Sequence, residues 1–286
     1  MTGTAYKIVL RLLTPLHVGA GQLGNLQRAR PYVTGKALWG ALTARLTRDY
    51  PNFGGNYGEV GRRVNEELAF SYFYPAVGDT VDLWPWGEKA DEFAWRYLGA
   101  YAGTALDYGR NAALEGSLHE TEFIAPVTRD GQPVNLVGYI FERQDCTLPW
   151  QEALARLQIG GERTYGWGWV SRVSAKPVKE RWDFSSPLFV FGCYAISSDD
   201  WPPVLRATPK APLLAHALAV EFNGHKPVAG LCGPIEPLLG RETPADLQKG
   251  FGSYLPEARI CWQPGCTIGQ GQEVAIGEYG VWEKPS

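Results

Sequence analysis

The residues best suited to chemistry lie in one run, Gly160-Gly161-Glu162-Arg163-Thr164-Tyr165-Gly166-Trp167-Gly168-Trp169-Val170. Glycine permits positive φ and lets a backbone come close to another molecule. Arg163 supplies a forked donor that matches phosphate, and Tyr165 and Trp167 offer flat faces on which bases can stack. The same run also reads as a glycine-rich turn closing a helix–strand junction, with its rings packed inward. Both readings stand on the loop alone, because glycine-rich loops are weakly specific.

Other reactive side chains are sparse. His17 has an ordinary pKa suited to a general acid or base, whereas His119, His216 and His225 stand far apart in sequence with no partner motif. The five cysteines, Cys146, Cys193, Cys232, Cys261 and Cys266, are odd in number and scattered, which fits reduced thiols better than a disulfide framework. Cys261 and Cys266 lack a second Cys/His pair at zinc-finger spacing, so no metal is expected. No G-x-S-x-G, phosphate-loop or H-E-x-x-H pattern occurs, and no cofactor is expected.

The 286 residues carry a net charge of −3, which excludes a globally basic nucleic-acid binder. The charge is uneven. Up to residue 64 the bases are Lys7, Arg11, Arg28, Arg30, Lys36, Arg45, Arg48, Arg62 and Arg63, against only Asp49 and Glu59. Such a segment can form a local phosphate-binding face or simply a solvated one. No apolar run reaches the ~18 residues of a membrane span, and no basic-then-apolar leader opens the chain, so a cytoplasmic protein without membrane contact is expected.

The elements that must position these groups follow from periodicity. Residues 6–13 alternate as a strand, with Ile8, Leu10 and Leu12 on one face. A loop covers 14–24. A helix begins at Gly35 with Thr34 as N-cap and Leu38, Leu42 and Leu46 as its apolar stripe. Residues 68–74, 119–127 and 134–141 read as extended, and 79–115 as an aromatic, irregular insertion. A helix follows Pro149, with Trp150, Leu154 and Leu157 on one face, and 164–173 is a strand. This strand, helix, strands, helix, strand order is the split βαβ, or ferredoxin-like, arrangement. Residues 175–186 read as a linker, and 188–195, 218–222 and 273–282 as strands of a β-rich C-terminal part. The expectation is an α+β protein: a ferredoxin-like (RRM-like) domain over 1–175, then a smaller β-rich domain over 176–286.

Three segments resemble a known family. Leu12-Leu13-Thr14-Pro15-Leu16-His17-Val18-Gly19-Ala20-Gly21 with Arg30-Pro31-Tyr32-Val33-Thr34-Gly35-Lys36-Ala37-Leu38-Trp39-Gly40-Ala41-Leu42 is similar to the opening of RAMP-superfamily proteins of type III CRISPR effector complexes. The segment from Leu106-Asp107 through Glu115-Gly116 to Phe123 resembles their "IDR…A.EG.L…E" stretch, and 160–170 resembles their glycine-rich loop. The likeness covers about residues 6–174. It implies a CRISPR guide RNA as partner, with other RAMP subunits and a large polymerase/cyclase-like subunit as neighbours in a ribonucleoprotein. The RNA-binding residues it marks are His17, Gly19, Gly21, Arg28, Arg30, Lys36, Trp39, Gly160, Gly161, Arg163, Thr164, Tyr165, Gly166, Trp167 and Gly168. The loop amides and the positive end of the Gly35 helix would cradle phosphates.

Two departures shape the functional expectation. RNA-cleaving backbone subunits of the family carry an acidic residue between the opening turn and the helix, and residues 19–35 contain no Asp or Glu. Without that carboxylate the loop offers no acid/base group or metal ligand for attack on a phosphodiester. Tyr165 stands where the family often has a second basic residue, which moves the loop from charge towards stacking. The expectation is a non-catalytic, antiviral-defence subunit that grips the 5′ handle of the guide RNA; 68–75 also resembles a segment common in handle-binding members. The alternatives are a metal-independent guide-RNA-processing endoribonuclease using His17, and a backbone subunit lining the guide.

Overall fold

A computed structural model describes residues 3–50, 56–78, 80–83, 85–179, 189–197, 201–242 and 254–285. The first strand, β1 (Gly3–Leu12), is followed by a hairpin, β2 (Gly19–Leu23) and β3 (Leu26–Ala29), whose first strand lies in the stretch expected to be a loop. Then come α1 (Gly35–Asp49) and α2 (Tyr57–Glu67), and the short strands β4 (Leu68–Phe70), β5 (Tyr74–Val77) and β6 (Thr80–Val81). The insertion holds α3 (Ala90–Tyr97), β7 (Leu98–Gly103), β8 (Leu106–Asp107) and β9 (Ala112–Ala113). Beyond it lie β10 (His119–Ile124), β11 (Val134–Arg143), α4 (Trp150–Ala153) and β12 (Val170–Lys179).

The main sheet runs β12-β1-β11-β5-β6, with β4 also on β11, and its long pairings are antiparallel. Side chains alternate across it. Ile8, Leu10 and Leu12 face the helices and meet Leu38, Leu42 and Leu46 of α1, Val60 and Val64 of α2, and Trp150 of α4 in one core. Thr34 caps α1 as expected, its hydroxyl accepting the Ala37 N–H at 3.3 Å.

The opposite face of this sheet is also buried. Tyr139 and Phe141 of β11, with Tyr72 and Tyr74, pack against Tyr194, Leu205, Leu213 and Trp282 in a second core. Apart from Leu213, which precedes β16, those partners come from an eight-stranded sheet built by β13 (Phe189–Val190), β14 (Tyr194–Ile196), β15 (Val204–Ala207), β16 (Ala217–Leu218), β17 (Ile235–Glu242), β18 (Tyr254–Trp262), β19 (Glu273–Ile276) and β20 (Trp282–Glu283). A third sheet, β2-β3-β10-β7, stands beside the main one.

Several expectations change. The helix after Pro149 ends at Ala153 and gives way to a single 3-10 turn over Leu154–Arg156. The expected strand 164–173 starts only at Val170, because Arg163–Tyr165 form a 3-10 turn between two left-handed residues, Glu162 and Gly166. β12 pairs with β1 as far as Lys179, so the first residues of the expected linker are sheet, and 180–186 lie outside the described residues. The described rings of the insertion divide: Phe93 and Tyr97 are buried and Trp86 sits edge-on to Tyr74, while Trp95, Tyr101 and Tyr108 stay exposed. Among the described residues, no helix is long and apolar enough to cross a membrane.

Candidate functional site

The two glycine-bearing segments, about 140 residues apart in sequence, are joined in space. Gly161 N–H donates to the His17 carbonyl at 2.9 Å, and Gly168 N–H to the Pro15 carbonyl at 2.7 Å. Leu13 N–H donates to the Trp169 carbonyl and Trp169 N–H to the Thr14 hydroxyl, both at 2.9 Å. Gly160, at φ +82°, and Gly168, at φ +81°, are required here, since a Cβ would collide with the carbonyls of His17 and Ile159.

His17 is a clamp. It is buried, and its Nδ1–H donates to the Glu122 carbonyl at 2.7 Å, an acceptor that fixes the proton on Nδ1. The Glu122 carboxylate in turn accepts the Ala29 N–H at 2.8 Å, tying the hairpin to β10. Gln158 completes the frame: its side-chain amide donates to the Arg163 and Trp167 carbonyls at 2.8 and 2.9 Å. Sequence reasoning missed this residue, and no motif signals it.

Six of the loop's amides are spent inside the protein. The N–H groups of Gly161, Tyr165, Gly166, Trp167, Gly168 and Trp169 all donate inside the protein. What points outward is side chain: Arg163 and Thr164 are exposed, and Tyr165 is 80% exposed. Trp167 turns the other way and meets Phe123 and Tyr101 edge-on, at centroid distances of 5.2 and 6.3 Å. Gly19, Gly21 and Arg28 lie exposed on the hairpin, in the sheet whose Phe123 contacts Trp167.

Three expected RNA contacts are placed elsewhere. Arg30 is directed inward, 2.7 Å from Glu236 Oε1, within a buried cluster that includes Tyr32 and His216. Lys36 has its ammonium against the Tyr279 ring, 4.5 Å from the centroid. Trp39 is a core residue whose indole N–H donates to the Gly61 carbonyl at 2.9 Å, with Tyr57 and Tyr279 edge-on to its ring. The N-terminus of α1 is closed as well, because Gly35 is buried against the Tyr279 carbonyl. The basic N-terminal segment is not one free face, since acids from later in the chain reach it: Glu236 on Arg30, Glu66 on Arg62 and Glu67 on Arg63, with Asp49 on Arg45.

That Arg30 cluster is a closed polar network. His216 Nε2–H donates to Glu236 Oε1 at 2.5 Å, and its Nδ1 accepts from the Tyr72 hydroxyl at 2.7 Å, the pattern of a neutral imidazole. Burial pushes the His216 pKa below its ordinary value, against the pull of Glu236. Burial also raises the Glu236 carboxyl, but hydrogen bonds from His216 and Arg30 outweigh it and hold it at about 2.

Asp107 is structural, its carboxylate accepting the Gly109 and Arg110 N–H groups at 3.0 and 3.3 Å in the turn between β8 and β9. Among the described residues no three His, Cys, Asp or Glu side chains are placed to share a metal ion.

The sequence profile of the RAMP superfamily matches residues 9–171, the span that carries the opening turn, β10, β11 and the glycine-rich loop. The chain belongs to the RAMP superfamily. No curated protein matches its sequence. Among solved structures, it is similar to a chain in the type III-B Cmr-β complex bound to cognate target RNA and AMPPnP, with 11% identity and a TM-score of 0.49 over 91% of this chain and 84% of that one. A chain of the same complex bound to cognate target RNA gives 12% identity and a TM-score of 0.40, over 60% of this chain and 97% of that one. The matched span holds both His17 and Arg163, and the backbone hydrogen bonds above join the segments that carry them.

Proposed function

We propose that this RAMP protein is a non-catalytic subunit of a type III CRISPR effector complex that grips the 5′ handle of the guide RNA. The observation that carries the reading is the joined pair of family motifs: the opening turn anchors the glycine-rich loop so that Arg163, Thr164 and Tyr165 project into solvent. Arg163 pairs with a phosphate and Tyr165 stacks on a base. The domain containing them is ferredoxin-like, a reading supported by the strand order β12-β1-β11-β5 with helices after β1 and β11. Its β-rich partner, from β13 onward, is a second domain that closes the back of the main sheet. Other RAMP subunits and a large polymerase/cyclase-like subunit are its neighbours, in the cytoplasm.

The absence of catalysis rests on His17 and on the acid-free stretch 19–35. A general base needs an accessible ring nitrogen near the reacting proton. The Nδ1–H bond to the Glu122 carbonyl fixes the His17 ring, and the burial of that ring supports a clamp rather than a base. The test is incubation of the pure protein with repeat RNA, in EDTA and in Mg²⁺. Intact RNA that is retained by the wild type and released by Arg163→Ala/Tyr165→Ala supports the reading. Cleavage that disappears in His17→Ala replaces it with the processing-enzyme alternative.

A further inference from the structure

RNA-binding domains with a four-stranded sheet stack bases on aromatic side chains of that sheet. Here both faces of the main sheet are buried, one by α1, α2 and α4 and the other by the eight-stranded sheet. The third sheet, β2-β3-β10-β7, has a face of a different kind. In its register Gly99 pairs with Phe123, Tyr101 with Thr121, and Gly103 with His119, and paired residues share a face. The two glycines are needed for close approach: a Cβ on Gly99 would sit 2.8 Å from the Phe123 ring, and one on Gly103 would sit 3.0 Å from His119 Nε2. Both rings therefore lie over β7, one on each side of Tyr101.

We infer that Phe123, Tyr101 and His119 form a stacking platform for single-stranded RNA, continuous through Trp167 with the glycine-rich loop. Two residues separate successive positions along the strands, so the rings are spaced at ~7 Å, a step that takes one base per ring. Tyr101 is 63% exposed and His119 is exposed. No acid stands among the paired positions of this face, so nothing there repels a polyanion. The paired positions here carry Gln27 and Gln22 on β3 and β2, whereas Glu120 and Glu122 alternate to the other face. A duplex hides the base faces that such a platform takes, so the ligand is an unpaired strand. This inference rests on the RNA-binding reading and extends it from the loop onto the sheet.

The test measures affinity of the full chain for a labelled single-stranded repeat RNA and for the same sequence as a duplex. The variants are Tyr101→Ala, His119→Ala, Tyr101→Phe and the loop double variant Arg163→Ala/Tyr165→Ala. Tyr101→Ala is expected to bind the single strand roughly 5- to 150-fold more weakly, the span of one lost base stack, with an unchanged thermal midpoint. Its salt slope should stay that of the wild type, because no phosphate contact is lost. His119→Ala should weaken binding in the same way, Tyr101→Phe should bind as wild type, and the duplex should bind more weakly than the single strand. If the loop variant loses RNA while Tyr101→Ala and His119→Ala bind normally, the platform is refuted and the loop reading survives. If Tyr101→Phe is as weak as Tyr101→Ala, the ring does not stack and the platform is again refuted. If the wild type binds no RNA, both readings fall together.

Discussion

At the scale of single residues, the structure separates Arg163 and Tyr165 from Arg30, Lys36 and Trp39, though the family resemblance marks all five. The first two project from a 3-10 turn held by Gln158; the other three are drawn inward by Glu236, Tyr279 and Gly61. Arg163→Ala should therefore lower the slope of log affinity against log salt by about 0.7, one phosphate contact on a single strand, as read by a salt titration. Trp39→Ala should behave oppositely. It removes a buried indole and should cost ~3–5 kcal/mol in urea unfolding, with the RNA affinity of the folded protein unchanged. Sequence could name Arg163 because its neighbours are glycines. It could not show that Arg30 is paired, because Glu236 lies 206 residues further on and no local pattern links them.

At the scale of elements, α1, β1 and β11 were legible because period and capping agree with the final packing: Thr34 caps, and Leu38, Leu42 and Leu46 all reach the core. The β2–β3 hairpin was not, since Gly19, Gly21 and Gly24 carry the signature of a loop and the strand β2 is exposed along its length. Its hold on β10 comes from pairings of distant residues and from the Glu122 carboxylate on Ala29 N–H. The junction of loop and opening turn likewise depends on backbone contact that only glycine allows. Gly160→Ala should force the His17 carbonyl away and destabilise the fold by about 1–3 kcal/mol in chemical denaturation. It should weaken RNA binding as well, because the clamp and the loop move together.

At the scale of the whole molecule, the eight-stranded sheet covers the face of the main sheet that would otherwise be open. The polar seam between them is Arg30, Tyr32 and Tyr72 on one side and His216 and Glu236 on the other. Both titrating groups have lowered pKa values in the folded state, so the unfolded chain binds more protons and stability falls with acid. The loss should begin as pH drops below the ordinary histidine value of 6.5, and continue between the ordinary carboxylate value of 4.5 and about 2 as Glu236 takes a proton. Glu236→Gln should flatten the second part of that profile, and should cost ~3–5 kcal/mol at neutral pH by leaving Arg30 unpaired, as measured by denaturation across pH. Strand-like runs pointed to a β-rich C-terminal part, but not to a core shared with the main sheet, because Tyr139 and Phe141 read simply as the second face of a strand.

Photocrosslinking shows whether RNA lies on the clamped loop. The pure full-length protein would be irradiated with a repeat-derived guide RNA carrying photoreactive bases in its 5′ handle, and the adducts mapped by mass spectrometry. Adducts are expected on Tyr165 and its loop neighbours, lost in Arg163→Ala/Tyr165→Ala, and none on Lys36 or Trp39. Adducts confined to other surfaces, or an unchanged yield in the folded double variant, would contradict an RNA surface on this loop.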